Sequence, residues 1–205
     1  MSYKIIVARY NESIEWLQSE AANCILYNKG PALHMPNEIP LENVGRESDT
    51  YLQYIIANYN DLPDVVVFTQ ARISDHKGKD DVQYLLDMKN DALRNSKSNN
   101  YLLHEDVGRC IYFDKEWNVR NGEYFLQDNY KNNTPITFLE WFKTNIRTEY
   151  PNPIRVYVSA IFAVRKENIL KKPIEFYKKL LLEVNHHSNP VEGHFFERSW
   201  YYIFE

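Results

Sequence analysis

The stretch Gly45–His76, GRESDTYLQYIIANYNDLPDVVVFTQARISDH, decides the fold. Tyr51, Leu52, Ile55, Ile56 and Tyr59 recur at the spacing of a helix with one buried face. Ser48 is expected to cap that helix through its hydroxyl. Asn60-Asp61 and Pro63 end it. Val65-Val66-Val67-Phe68 is a short β-branched run between turn signals, which predicts a strand buried on both faces, as in a parallel sheet. The polar segment Thr69–His76 follows. Ligands of open α/β sheets bind beyond the carboxyl ends of the strands, so this segment is either a site or an ordinary surface loop.

A chain of 205 residues is expected to form one α/β domain. A net charge of −4 gives no electrostatic support to a nucleic-acid or membrane-surface role. No apolar run approaches the ~20 residues needed to span a bilayer, and Met1–Lys4 leads straight into a strand-like IIVA with no signal peptide. The expectation is a soluble, cytoplasmic protein. Cys24 and Cys110 lie far apart in apolar runs and are expected to be reduced core thiols.

Tyr3–Ala8 is the predicted first strand, and Arg9-Tyr10-Asn11-Glu12 follows at its carboxyl end. A helix is expected over Ser13–Glu20 and a second strand over Ala22–Tyr27, with Ala32–Val44 as loop. The βα loop has no glycine, so neither a GxGxxG turn nor a P-loop is present. Further helices are expected over Lys79–Arg94, Pro135–Arg147, Pro173–Glu183 and from Asn189-Pro190 onward, with a helical turn at Lys166–Leu170. Residues 95–153 look like a possible insert on the acceptor side, with extended runs in Tyr101–Phe113 and a surface excursion over Asp114–Thr134. Ile154–Val164 is the longest strand candidate.

Four polar groups are candidates for chemistry. Arg9, Tyr10, Asn11 and Glu12 lie beyond the first strand. Arg46 stands at a helix start, where free N–H groups favour an anion such as a diphosphate; the plain alternative is a capped helix. Asp75 and His76 form a carboxylate–imidazole pair that suits a hard or borderline cation, or else belong to a loop capping the next helix. In HFFERSW, His194–Trp200, Glu197 among aromatics is either a general base of raised pKa or the partner of Arg198. There is no HExxH, no GxSxG and no zinc-type Cys/His cluster.

The segments VARYNESIEWL, YNKG, GRESDTYLQYIIANYNDLPDVVVFTQ, SDH, FAVRKENILKKPIEFY and ERSWYYIF, in that order, resemble a family from fungi and large DNA viruses whose label carries no assigned activity. The layout is similar to the GT-A glycosyltransferase fold, and the chain also resembles a small glycosyltransferase domain of an algal virus. The resemblance implies a mostly parallel, Rossmann-related sheet flanked by helices. Tyr10, Asn11 and Glu12 would lie near the nucleotide, Asp75 and His76 at a divalent cation (Mn2+ or Mg2+) and the diphosphate, and Glu197 or Arg198 at the sugar or acceptor. Those enzymes carry a DxD or DxH motif after a middle strand; here Thr69-Gln70-Ala71 follows the strand and Asp75-His76 comes several residues later.

The functional expectation is a glycosyltransferase that moves a hexose or deoxyhexose from a nucleotide-diphosphate sugar to a glycan or protein acceptor. Asp75 and Glu197 are the catalytic candidates. Arg9, Tyr10, Asn11, Glu12, Arg46, Gln70, Arg198 and Trp200 are the substrate-binding ones, and Asp75 and His76 the metal ligands. The alternatives are a non-catalytic carbohydrate- or nucleotide-binding module on a degenerate GT-A fold, and an interaction protein whose aromatic C-terminal helix docks a partner.

Overall fold

The computed structural model describes residues 1–94, 138–151 and 158–205. Five strands, β1 Tyr3–Arg9, β2 Cys24–Asn28, β3 Glu38–Pro40, β4 Val65–Gln70 and β5 Phe162–Arg165, form one sheet in the order β3-β2-β1-β4-β5. β1 pairs in parallel with β2 and β4, and β2 with β3, while β5 runs antiparallel to β4. The sheet is therefore mixed, which corrects the expectation of a mostly parallel one. The reason lies at Ser159 and Ala160, whose φ values of 70° and 53° turn the chain just before β5. Of the strand expected over Ile154–Val164, residues 154–157 lie outside the described residues, Val158–Ala160 form a 3-10 turn, and the described strand is Phe162–Arg165.

The helices are α1 Arg46–Ala57, α2 Ser74–Lys77, α3 Val82–Arg94, α4 Phe138–Asn145, α5 Lys166–Ile169, α6 Ile174–Leu182 and α7 Val191–Ile203, with a 3-10 helix at Glu15–Glu20. Residues alternate across the strands with period two. On one face Ile6, Val66, Phe68, Phe162 and Val164 join side chains of α1, α4, α6 and α7 in a single core. On the other, Ile5, Val7, Val65, Val67 and Ala163 pack with Leu17 of the 3-10 helix and with Leu85, Met88 and Ala92 of α3.

α1 lies where the apolar spacing put it, with Tyr51, Leu52 and Ile55 fully buried. Its start differs from the expectation. Gly45, not Ser48, is the N-cap, and Ser48 sits buried inside the first turn with no hydrogen bond to its hydroxyl. The aromatics of α7 do not form a docking face: Phe195, Phe196 and Trp200 are fully buried, and Trp200 stacks on Phe204 with ring centroids 5.6 Å apart. The interaction-helix alternative loses its surface, because this helix is the centre of the core. Cys24 is a buried free thiol. Cys110, and the runs expected over Tyr101–Phe113 and Asp114–Thr134, lie outside the described residues.

Candidate functional site

The chain runs outward from β1 through β2 to β3, then returns through α1 to β4 on the other side of β1. The carboxyl ends of β1 and β4 therefore flank the point where the strand order reverses, which is where open α/β sheets take their ligands. At the end of β1, Arg9 is 7% exposed and wholly engaged within the protein. Its Nη1 donates to Asn28 Oδ1 at 2.8 Å and to Pro31 O at 3.0 Å, and its Nε to Glu12 O at 2.9 Å. Glu12 folds back to accept the N–H groups of Tyr10 and Asn11 at 2.8 and 3.0 Å. Arg9 and Glu12 thus shape the loop, and Tyr10, 47% exposed, is what the loop presents. Gly30 of the next turn lies so close that an added Cβ would stand 1.8 Å from Tyr10 O.

Next along the edge is Lys29. Its side chain is 5% exposed and meets Asp49 Oδ2 at 2.9 Å. The ammonium also donates to the carbonyls of Val44 and Arg46. Burial pulls the Lys29 pKa down, against the pull of Asp49 in the other direction. This cation pins the turn in which Gly45 and Arg46 take φ of 66° and 51°. Gly45 N–H completes the turn by donating to His187 O at 2.7 Å.

From that turn the Arg46 stem passes over Gly193 of α7, and its Nη1 reaches Asn189 Oδ1 at 3.2 Å and His194 Nε2 at 2.8 Å. On the other side of the imidazole, Nδ1 lies 3.9 Å from Glu197 Oε2. Glu197 Oε2 accepts Arg198 Nη1 at 2.7 Å, and Oε1 accepts Ser159 N–H at 3.0 Å. Ser159 O accepts Gln70 Nε2 at 2.9 Å, which ties this cluster to the end of β4. Burial and the positive charges of Arg46 and Arg198 push His194 down to about 3. Burial by itself would raise the Glu197 carboxyl, but Arg198, His194 and the Ser159 N–H together carry it below the usual range. Of the two readings of Glu197, the structure shows the pair with Arg198 and not a raised pKa: Arg198 follows it directly on the helix and meets Oε2, which favours the ionised form.

Arg198 Nη1 also donates to His194 O at 3.0 Å, so Arg46, Gln70, Glu197 and Arg198 fall in one connected polar cluster, and Asp75 and His76 lie outside it. Asp75 is on the exposed one-turn helix α2, paired with Arg72 Nε at 3.0 Å. His76 beside it is exposed. Asp80, not Asp75, holds the loop, accepting the N–H groups of Ile73 and Ser74 at 2.7 and 2.9 Å. Among the described residues no three His, Cys, Asp or Glu side chains converge as a metal site. Asp75, already paired with an arginine, and His76 are two exposed donors on one short helix, and no step is routed through a cation. Trp200 belongs to the core and does not line the edge.

Lys29 and Ser159 escaped the sequence reading. YNKG gave one hint, a lysine directly after an apolar strand, but Ser159 carries no local signal. Along the edge stand the exposed Tyr10, the partly exposed Arg46, whose charge suits an anionic group, and the Glu197 carboxylate, which suits a hydroxyl donor. No helix among the described residues is long and apolar enough to cross a membrane.

Fold and side chains together define an α/β protein with a cluster of polar side chains along the carboxyl edge of an open sheet. The chain belongs to the family described as protein of unknown function (DUF3431), whose model matches residues 5–205. No curated protein and no solved structure matches it.

Proposed function

We propose that this chain is a glycosyltransferase of GT-A type that moves a hexose or deoxyhexose from a nucleotide-diphosphate sugar to a glycan or protein acceptor. One observation supports the reading above the others: Arg46, His194, Arg198, Glu197, Ser159 and Gln70 form a connected polar cluster at the edge where β1 and β4 flank the reversal of strand order, hydrogen-bonded at each step through Arg198. In this reading Tyr10 and Asn11 meet the nucleotide. Arg46 neutralises charge on the diphosphate leaving group, the kind of electrostatic help that such a transfer needs most. Glu197, ionised at neutral pH, takes the proton of the acceptor hydroxyl as its oxygen bonds the sugar carbon and the carbon–oxygen bond to the diphosphate breaks.

The second reading is a non-catalytic carbohydrate- or nucleotide-binding module. It is favoured by two carboxylates already committed elsewhere, Glu197 to Arg198 and Asp75 to Arg72. A thermal-shift panel of nucleotide sugars, each with and without manganese, followed by a transfer assay with the donor that binds, separates the readings. A ligand bound by the native state alone raises Tm by mass action. A shift for one donor followed by sugar transfer supports the transferase, and a shift without transfer or donor hydrolysis supports the module. No shift for any donor removes the transferase and leaves the module that binds a carbohydrate. A manganese-dependent shift would bring Asp75 and His76 back as ligands.

A further inference from the structure

The second core contains a cleft that the polar edge does not use. A crossover between parallel strands normally lays a full α-helix on the sheet. Here the β1–β2 crossover carries only the 3-10 helix Glu15–Glu20, followed by Ala21 and Ala22. α3 covers β4 and β5 on this face. Above β1 and β2 the short crossover and the two small side chains leave a cleft of about 620 Å3. Its floor is Val7, Cys24 and Leu26, each at most 9% exposed, and its walls include Leu17, Ala22 and Met35.

The Met35 wall is held in place. The Glu38 carboxylate accepts the N–H groups of Leu33 and Met35 and an amide proton of Asn28. Those bonds, led by the one from Asn28, hold Glu38 down at about 2, so the tie persists at any physiological pH. The polar rim consists of Glu15, Gln18 and Asn37, and Asn37 Nδ2 is directed to Ala21 O at 3.3 Å. Among the described residues no cation lines the cleft and Glu15 is its one carboxylate, while Lys4 Nζ donates to the carbonyl of Ala22 at 3.2 Å. Burial pushes the Cys24 thiol up to about 12, so the floor is uncharged. Ligand cavities are typically about 300–1,000 Å3, apolar inside, and largely pre-formed.

We propose that this cleft binds an uncharged hydrocarbon molecule ending in a hydroxyl, an alkyl or prenyl alcohol, with its chain on Val7, Cys24 and Leu26 and its hydroxyl at the Glu15–Gln18 rim. A fatty acid is disfavoured, because its carboxylate would meet the Glu15 carboxylate at that rim. The inference is independent of sugar transfer, since no residue of the cleft belongs to the network at the carboxyl edge.

The test is a titration of the full chain with the neutral apolar dye Nile red, followed by displacement with dodecanol and with dodecanoate. Expected are saturable binding at one dye per chain and displacement by dodecanol at about tenfold lower concentration than by dodecanoate. Ala22→Trp fills the cleft and is expected to weaken dye binding about tenfold or more, while Glu15→Gln narrows the gap between alcohol and carboxylate. Should Ala22→Trp melt below the unaltered chain, Ala21→Trp takes its place. Absence of saturable binding overturns the proposal, as does binding that ignores both tryptophan variants or favours dodecanoate. Loss of dye binding as the protein self-associates assigns the cleft to a second copy and also overturns it.

Discussion

His194 Nε2 lies 2.8 Å from Arg46 Nη1. A guanidinium has only donors, so the imidazole nitrogen must be the acceptor. The ring proton is therefore on Nδ1, on the side of Glu197, and His194 is neutral. Its pKa, about 3 against an ordinary 6.5, follows from burial and from the charges of Arg46 on α1 and Arg198 on α7, with Glu197 opposing them. Between those two values the unfolded chain binds a proton that the folded chain refuses. The linkage therefore removes stability as pH falls from 6.5 toward 3 and leaves it intact above 6.5. His194→Gln keeps an acceptor for Arg46 but does not titrate, so its Tm should fall less steeply over that window. Equal slopes for the two proteins would show that His194 protonates in the folded state.

Lys29 and Asp49 are expected to behave as a buried pair. Lys29→Met leaves the Asp49 carboxylate, 1% exposed, without its counter-ion, and two carbonyls without their donor. Breaking such a pair from one side costs about 3–5 kcal/mol. The double variant Lys29→Met/Asp49→Leu should recover part of that loss in urea unfolding. A Lys29→Met midpoint equal to that of the unaltered chain would mean the ammonium does not hold the Gly45–Arg46 turn.

Two glycines should respond differently to alanine. At Gly78, φ is +79° and nothing lies within 4 Å of an added Cβ, so Gly78→Ala meets backbone strain alone, about 1–2 kcal/mol. At Gly30 the added Cβ would stand 1.8 Å from the Tyr10 carbonyl oxygen and 2.7 Å from its carbon, so the loop after β1 must move. Gly30→Ala is therefore expected to abolish the donor-induced thermal shift, which Gly78→Ala should leave unchanged. A normal shift in Gly30→Ala would place the nucleotide away from Tyr10 and Asn11.

For the proposed transfer reaction, Glu197→Gln retains an oxygen for the Ser159 N–H but loses the charge. It should lower kcat by about 100-fold or more while the donor-induced shift persists. Asp75→Ala touches only an exposed pair with Arg72. Activity unchanged in Asp75→Ala removes that residue as base and as ligand, and activity unchanged in Glu197→Gln removes the acceptor role assigned to Glu197.

Much of the scaffold was legible in the sequence, and the reasons are local. Val65–Phe68 is apolar without interruption and rich in β-branched valine because β4 lies between β1 and β5 with core on both faces. The helical spacing of Tyr51, Leu52 and Ile55 matches the buried face of α1. β3 was missed because a three-residue edge strand ending in proline has no periodicity to show. Of the site, Arg46, Gln70, Glu197 and Arg198 were singled out as polar residues next to elements, but their mutual contacts were not foreseeable. Arg46 and His194 are separated by 148 positions, and Gln70 and Ser159 by 89.

The sequence by itself determined the α/β class, the central apolar strands and the absence of phosphate-loop glycines, since each depends on residue type within one or two turns of chain. Tertiary structure alone decided that β5 runs antiparallel, that Lys29 is buried against Asp49, that Glu197 is ionised and that Trp200 is core. Those outcomes depend on which distant groups share a low-dielectric space. There a charge keeps its charged form only beside a partner, and a ring is buried only where other rings close around it.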